Sequence, residues 1–149
     1  RIGIHGSFIF GFDGDTPHVF KETVEFVQKN NIELPSFSIL TPFPGTSLLK
    51  RLEEEGRIFD RDWSHYDMSH VVFKPKQMTV QELQEGYLWA QKYICAPRSI
   101  FKRLLWGPKN HFFYFLMSNF VLRGAQMEVI RRIKDKELPY ESPPHLRQS

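Results

Sequence analysis

The sequence predicts an α/β chain, in which the closing strands of a larger parallel barrel or open sheet are followed by a mainly helical part. Three observations predict it. Two short segments alternate in hydropathy, at residues 2–11 and 34–41, and each is followed within a few residues by an amphipathic helical pattern. The connections are of the length that parallel βαβ units use. Beyond Gly56 the pattern changes: an irregular polar and aromatic segment comes first, and helical spacing follows from Thr79 onward.

The elements follow in order. Ile2, Ile4, Phe8 and Phe10 alternate with Gly3, His5, Ser7, Ile9 and Gly11, which gives a strand with one bulky face and one small, mixed face. Asp13-Gly14-Asp15 stops it. Asp15 or Thr16 is expected to cap a helix with Pro17 at its first position, because proline fixes φ near the helical value and needs no N–H there. Val19, Phe20, Val24, Phe26 and Val27 form its stripe, and Asn30-Asn31 ends it. The second strand spans Leu34–Thr41, with Phe37 and Ile39 on one face and Ser36, Ser38 and Leu40 on the other. Pro42-Phe43-Pro44-Gly45 forces a turn. Thr46 and Ser47 cap a helix over Leu48–Glu55, which Gly56 closes.

After Gly56, residues 60–69 read as irregular and His70–Phe73 as a short strand broken by Pro75. Thr79 and Glu82 have capping-box spacing, so a helix is expected from Val80 to about Cys95. Pro97 interrupts it, and a second piece runs to about Trp106. Gly107-Pro108 precedes a last long helix at about His111–Lys134, and the proline-rich tail Leu138–Ser149 is expected to be loose. The resulting divisions are 1–58 for the strand-bearing part, 59–78 for an irregular linker with a short strand, 79–137 for the helical domain and 138–149 for the tail. Two βα units do not complete a parallel sheet, which helices normally cover on both faces. The remaining strands are expected from upstream sequence or another chain, and the first residues already read as the middle of a strand.

Charge divides unevenly along the chain. Residues 1–91 carry nine basic and thirteen acidic side chains, whereas residues 92–134 carry nine basic and one acidic. The basic stretch suits an anionic membrane or nucleic acid, or a solvated helix face packed on an acidic neighbour. No nucleic-acid motif accompanies it, so no nucleic-acid partner is expected. One cysteine excludes an internal disulfide, a cysteine-based zinc site or an iron–sulfur cluster ligated within this sequence. No leader pattern and no apolar run of membrane-spanning length occurs, so the expected location is cytoplasmic, with membrane association as a variant.

Two motifs carry the chemistry. GSFIFGFDGDT at 6–16 and TPFPGT at 41–46 both lie at the C-terminal ends of predicted parallel strands, where α/β proteins place ligands. Ser7, Ile9 and Gly11 share a face on which a flat group could lie against the backbone. Equally, Gly11 could supply only a turn, with Ile9 in the core. Asp13 and Asp15 suit a helix cap better than a calcium loop, whose later ligands are missing. The six histidines, at 5, 18, 65, 70, 111 and 145, form no metal-binding face, and no metal ligands are assigned. His65, Tyr66, Asp67 and His70 are candidates for substrate contact or for loop anchoring. Cys95 reads as a small buried hydrophobe. The aromatic run Phe112–Met117 with Phe120, Val121 and Leu122, flanked by Lys109, Arg123, Arg131 and Arg132, suits internal packing, a membrane interface or a lipid-like substrate.

The two strand-end motifs resemble those of the radical S-adenosylmethionine (SAM) enzymes, in the branch that carries an upstream cobalamin-binding domain. There the fifth strand of a partial (β/α)6 TIM-like barrel carries GxIxGxxE, and the sixth often ends in P-[FY]-P-G-T. Ile9 and Gly11 match x-I-x-G, Ser7 stands at the first glycine, and the acidic position is displaced to Asp15. The likeness extends through WSHYDMSHVVFKPKQMTVQEL at 63–83 into the helices beyond.

The resemblance implies that the chain is the C-terminal part of an enzyme in which a [4Fe–4S] cluster reductively cleaves SAM to begin methylation or rearrangement of a small molecule. The cluster's CxxxCxxC loop would lie upstream, and cobalamin would be a further cofactor. By the same resemblance Ser7, Ile9 and Gly11 would meet the adenine of SAM, with Leu40, Thr41 and Pro42 on its other side; catalytic residues are not identified. The alternative reading is a non-catalytic module that docks on a membrane or protein through its basic aromatic helices.

Overall fold

The computed structural model describes residues 3–105 and 112–135. The order of elements is β1 (His5–Phe10), α1 (Val19–Lys29), β2 (Leu34–Ile39), α2 (Ser47–Glu54), a 3-10 turn (Trp63–His65), α3 (Val80–Ile94), α4 (Pro97–Leu104) and α5 (Phe112–Asp135). The expected boundary at Trp106–His111 and the tail from Leu138 lie outside the described residues.

β1 and β2 pair in parallel, from His5 opposite Leu34 to Phe10 opposite Ile39. Alternation puts Phe8, Phe10, Phe37 and Ile39 on one face. There the Phe10 ring lies 4.9 Å from Phe20 and 5.4 Å from Phe37. α1 covers this face with Phe20, Val24 and Val27, and α3 packs against α1 and β2. Gly86 permits that approach: a Cβ there would fall 2.2 Å from the Phe20 ring. One apolar cluster takes in the two strands, α1, residues 66–78, α3 and the end of α5 at Ile130 and Ile133. The segment 66–78 thus adds Val71, Val72 and Phe73 to the same core as the strands.

The opposite face carries His5, Ser7 and Ile9 from β1 beside Leu34, Ser36 and Ser38 from β2. Leu34 packs against Ile100, Leu104 and Phe115 where α4 meets α5. His5, Ser7 and Ile9 face solvent.

The outer edge of β2 is closed by three separate elements. Gln91 Nε2 on α3 donates to Phe37 O at 3.3 Å. Asn119 Nδ2 on α5 donates to Glu33 O at 2.9 Å. Ile39 N donates to Met68 O at 2.7 Å. Pro35 on this strand has no N–H to satisfy. No strand lies beside the outer edge of β1 among the described residues.

Local signals explain the helix starts. Thr46 Oγ1 accepts the Leu49 N–H at 3.3 Å, and Gly56 takes φ +63 just beyond α2. Thr79 and Glu82 form the reciprocal capping box of α3. Two expectations fail. α1 begins at Val19 with no side-chain cap, because Asp15 is engaged elsewhere: its Oδ2 accepts the N–H groups of Gly11 and Phe12 at 2.9 and 3.0 Å. Residues 70–73 form no strand, only an antiparallel bridge between Ile58 and Phe73. Gln84 Oε1 takes the Val71 N–H at 3.1 Å in place of a ladder partner.

Candidate functional site

The C-terminal ends of β1 and β2 lie side by side, with Leu40 N donating to Phe10 O at 2.8 Å, so the two sequence motifs meet. Gly11 has φ +104, a conformation that L side chains rarely adopt, and Asp15 binds the turn that follows it. A Cβ on Gly11 would meet Leu83 at 3.1 Å and Phe73 at 3.3 Å. Its missing side chain therefore makes room for the helical part beneath the turn rather than for a group on the open face. Ile9 is not in the core: it is 46% exposed. Ser7 Oγ pairs with Ser36 Oγ at 3.1 Å beside it. On the second strand end, Thr41 and Pro42 are buried and Leu40 is half-buried, with the Thr41 hydroxyl donating to Ile39 O at 3.0 Å. Phe12 and Phe43, one from each motif, are exposed.

A charged cluster holds the first turn in place. Arg57 Nη1 reaches Asp13 Oδ1 at 2.9 Å and Glu55 Oε2 at 2.8 Å, while Arg57 Nε donates to Lys74 O at 2.6 Å. The guanidinium lies over the Phe73 ring, 5.8 Å from its centroid. Lys76 and Arg51 approach Asp13 at 3.3 and 3.5 Å. Burial opposes ionisation of Asp13, but hydrogen bonds from Arg57 and Lys76 hold its carboxyl below the usual range. Arg57 is nearly buried and ties the β1 turn to the segment after α2. Its role was invisible in the sequence, since Asp13 lies 44 residues away.

The loop at 60–70 reaches the same end of the sheet through the bond from Ile39 N to Met68 O. Its histidines each lean on a carboxylate: His65 Nδ1 lies 2.6 Å from Asp60 Oδ2, and His70 Nδ1 lies 2.9 Å from Asp67 Oδ1. The two imidazoles are 5.1 Å apart. Tyr66 is buried and donates its hydroxyl to Asp60 O at 2.8 Å. His70 is buried, and its Nε2 has no hydrogen-bond partner among the described residues. Burial opposes ionisation of Asp67, yet hydrogen bonds from His70 and Ser69 hold its carboxyl far below the usual carboxylate range. Of the four substrate candidates, Tyr66 and His70 act inward as anchors, while His65 and Asp67 keep partial exposure.

Among the described residues no group of three or more His, Cys, Asp or Glu side chains could hold a metal ion. Cys95 is buried, and burial pushes its thiol up. No described helix is long and apolar enough to cross a membrane.

Known proteins extend these observations. The chain is 39% identical over 122 residues to the bacteriochlorophyllide d C-12(1)-methyltransferase of Chlorobaculum tepidum, a match covering 80% of this chain and 26% of that protein. It is 33% identical over 109 residues to the C-8(2)-methyltransferase of the same organism, covering 73% of this chain and 24% of the relative. The anaerobic magnesium-protoporphyrin IX monomethyl ester cyclase of Cereibacter sphaeroides is 32% identical over 100 residues, 67% of this chain and 16% of that protein. The strand-end motifs and these matches agree in their likeness to the cobalamin-associated branch of the radical SAM superfamily. The chain spans about a quarter of the length of the two methyltransferases. More particularly, residues 46–112, from the cap of α2 onward, match the model of a domain of unknown function, DUF4070.

Proposed function

We propose that this chain supplies the last two strands and the helical C-terminal part of a radical SAM enzyme that modifies a tetrapyrrole-like small molecule, by methylation or a related radical step. The observation that carries this reading is the meeting of the two strand-end motifs, with Ile9 and Ser7 left open on the face beside them. In this proposal the strands belong to a partial (β/α)6 barrel, whose other strands add at the outer edge of β1, since the edge of β2 is closed.

A [4Fe–4S] cluster, where bound, supplies the electron that cleaves SAM. The described residues of this chain do not fit it, because the single cysteine is buried and no metal-binding group occurs among them. No step through the cluster or cobalamin is assigned to these residues. The open face does fit the adenine end of SAM. Ile9 offers an apolar wall for a purine, and the hydroxyls of Ser7 and Ser36 lie at its side with room to approach. Gly11 acts by shaping the turn, and Thr41 and Pro42 act by fixing the second strand end. Phe12 and Phe43 offer flat apolar surface for a tetrapyrrole at the same rim. The Asp13–Arg57 pair holds the turn still while ligands bind, which favours pre-organisation.

The test uses the full gene product, reconstituted with iron, sulfide and cobalamin without oxygen and given SAM and a reductant. Formation of 5′-deoxyadenosine is expected; its complete absence refutes the enzymatic reading. Ile9→Glu is expected to weaken SAM binding at least tenfold by setting a carboxylate against the purine. Unchanged affinity would remove Ile9 from the site.

A further inference from the structure

We propose that the outer faces of α4 and α5 form a docking surface for an anionic lipid bilayer, on which the protein lies without crossing it. α5 buries Phe115 and Asn119 against α4 and the start of β2. On the opposite side Phe113, Met117, Phe120 and Val121 recur at helical spacing with Tyr114 beside them, and Phe113 and Val121 are 73% and 69% exposed. Residues 112–122 contain no charged side chain. A water-facing helix surface is normally polar, and among the described residues nothing covers this face. The apolar surface continues onto α4 through exposed Phe101 and Leu105, next to the Ile100 and Leu104 that pack on Phe115.

Charge selects the occupant. No acidic residue occurs between Lys92 and Met127 in the sequence, and Arg98 and Lys102 are exposed on α4, with Glu25 and Lys29 of α1 lining a hollow beside Lys102. A second copy would bring like cations together on this face, whereas anionic headgroups complement them. Eleven apolar and neutral residues give about 16 Å of helix at 1.5 Å per residue, far short of the roughly 30 Å hydrocarbon core. The aromatic rings therefore suit the headgroup boundary, with the helix lying in the plane of the surface.

The full gene product is sedimented with vesicles of phosphatidylcholine alone and of phosphatidylcholine with 30 mol% phosphatidylglycerol, a composition chosen for the assay. Co-sedimentation with the anionic vesicles only, weakened by salt, is expected. Phe113→Gln/Val121→Gln should cut bound protein at least tenfold, as should Arg98→Gln/Lys102→Gln; all four side chains are exposed, and circular dichroism and melting curves verify that the variants fold. A wild-type protein that stays in the supernatant overturns the proposal, as does binding that survives the Phe113/Val121 change. A concentration-dependent dimer that the same change dissolves would assign the face to a second copy and also overturn it. Loss of 5′-deoxyadenosine formation has no bearing on vesicle binding, so the two readings fail separately.

Discussion

Replacing Asn119 with alanine should unlock α5 from the strands. The side chain is buried and makes three bonds: it accepts from Arg103 Nη2 at 2.9 Å and donates to Glu33 O at 2.9 Å and Phe115 O at 2.8 Å. Phe115 O keeps its place within the helix, so two groups are stranded. Losing a buried bond to a guanidinium costs about 1.5–3 kcal/mol, and orphaning a strand carbonyl costs about 1–2 kcal/mol. Arg103 has its other bonds to Ile94 O and Ser99 Oγ, and no carboxylate is among its hydrogen-bond partners, so burial already pulls its pKa down to about 10. The sum is about 2.5–5 kcal/mol, a large part of the roughly 5–15 kcal/mol typical of a domain. Urea unfolding followed by circular dichroism measures it. Asn30→Ala serves as control, since Asn30 Nδ2 binds Phe26 O at the surface and should cost less than about 0.5 kcal/mol. A loss below about 1 kcal/mol for Asn119→Ala would refute the reasoning, showing that water or a repositioned side chain satisfies both groups.

Gly86→Ala should cost about 1–3 kcal/mol by forcing a methyl group onto the Phe20 ring, and Phe20→Leu in the same chain should recover part of it; equal thermal melts for Gly86→Ala and wild type would show that the helices separate freely. Asp67 has its folded pKa depressed, so its hydrogen bonds stabilise the fold above the unfolded value near 3.8 and that contribution fades as pH falls below it. Melting curves from pH 5 to pH 2 should fall less steeply for Asp67→Asn than for wild type, and identical slopes would show that Asp67 does not report on folding.

What could be read from the sequence was what neighbouring residues decide. The caps at Thr46 and at Thr79 with Glu82 satisfy N–H groups three residues away, so the starts of α2 and α3 were legible. The faces of β1 and β2 followed from alternation, and the pairing of motifs from their positions at strand ends. Asp15 misled because a carboxylate near a turn has competing N–H groups; it serves the strand end behind it rather than the helix ahead. The segment 70–73 has strand composition, but the partner that decides its fate is Gln84 on the next helix. Gln91 and Asn119 looked like ordinary polar helix residues, and only their phase on buried helix faces hinted otherwise. Their partners Phe37 and Glu33 lie 54 and 86 residues away, beyond the reach of pattern.

The closed edge of β2 also has a history during synthesis. Its carbonyl at Glu33 leaves the ribosome 86 residues before Asn119 exists to receive it, and the Phe37 carbonyl precedes Gln91 by 54 residues. Throughout that interval the nascent strand presents a hydrogen-bonding rim that another chain could occupy. Pro35 and the strand's brevity limit the danger, but the seal is complete only once α5 has been made. Stalled or clipped products that stop short of α5 should therefore be the sticky ones, drawn to chaperones or to each other, although every residue of the sheet is already present in them.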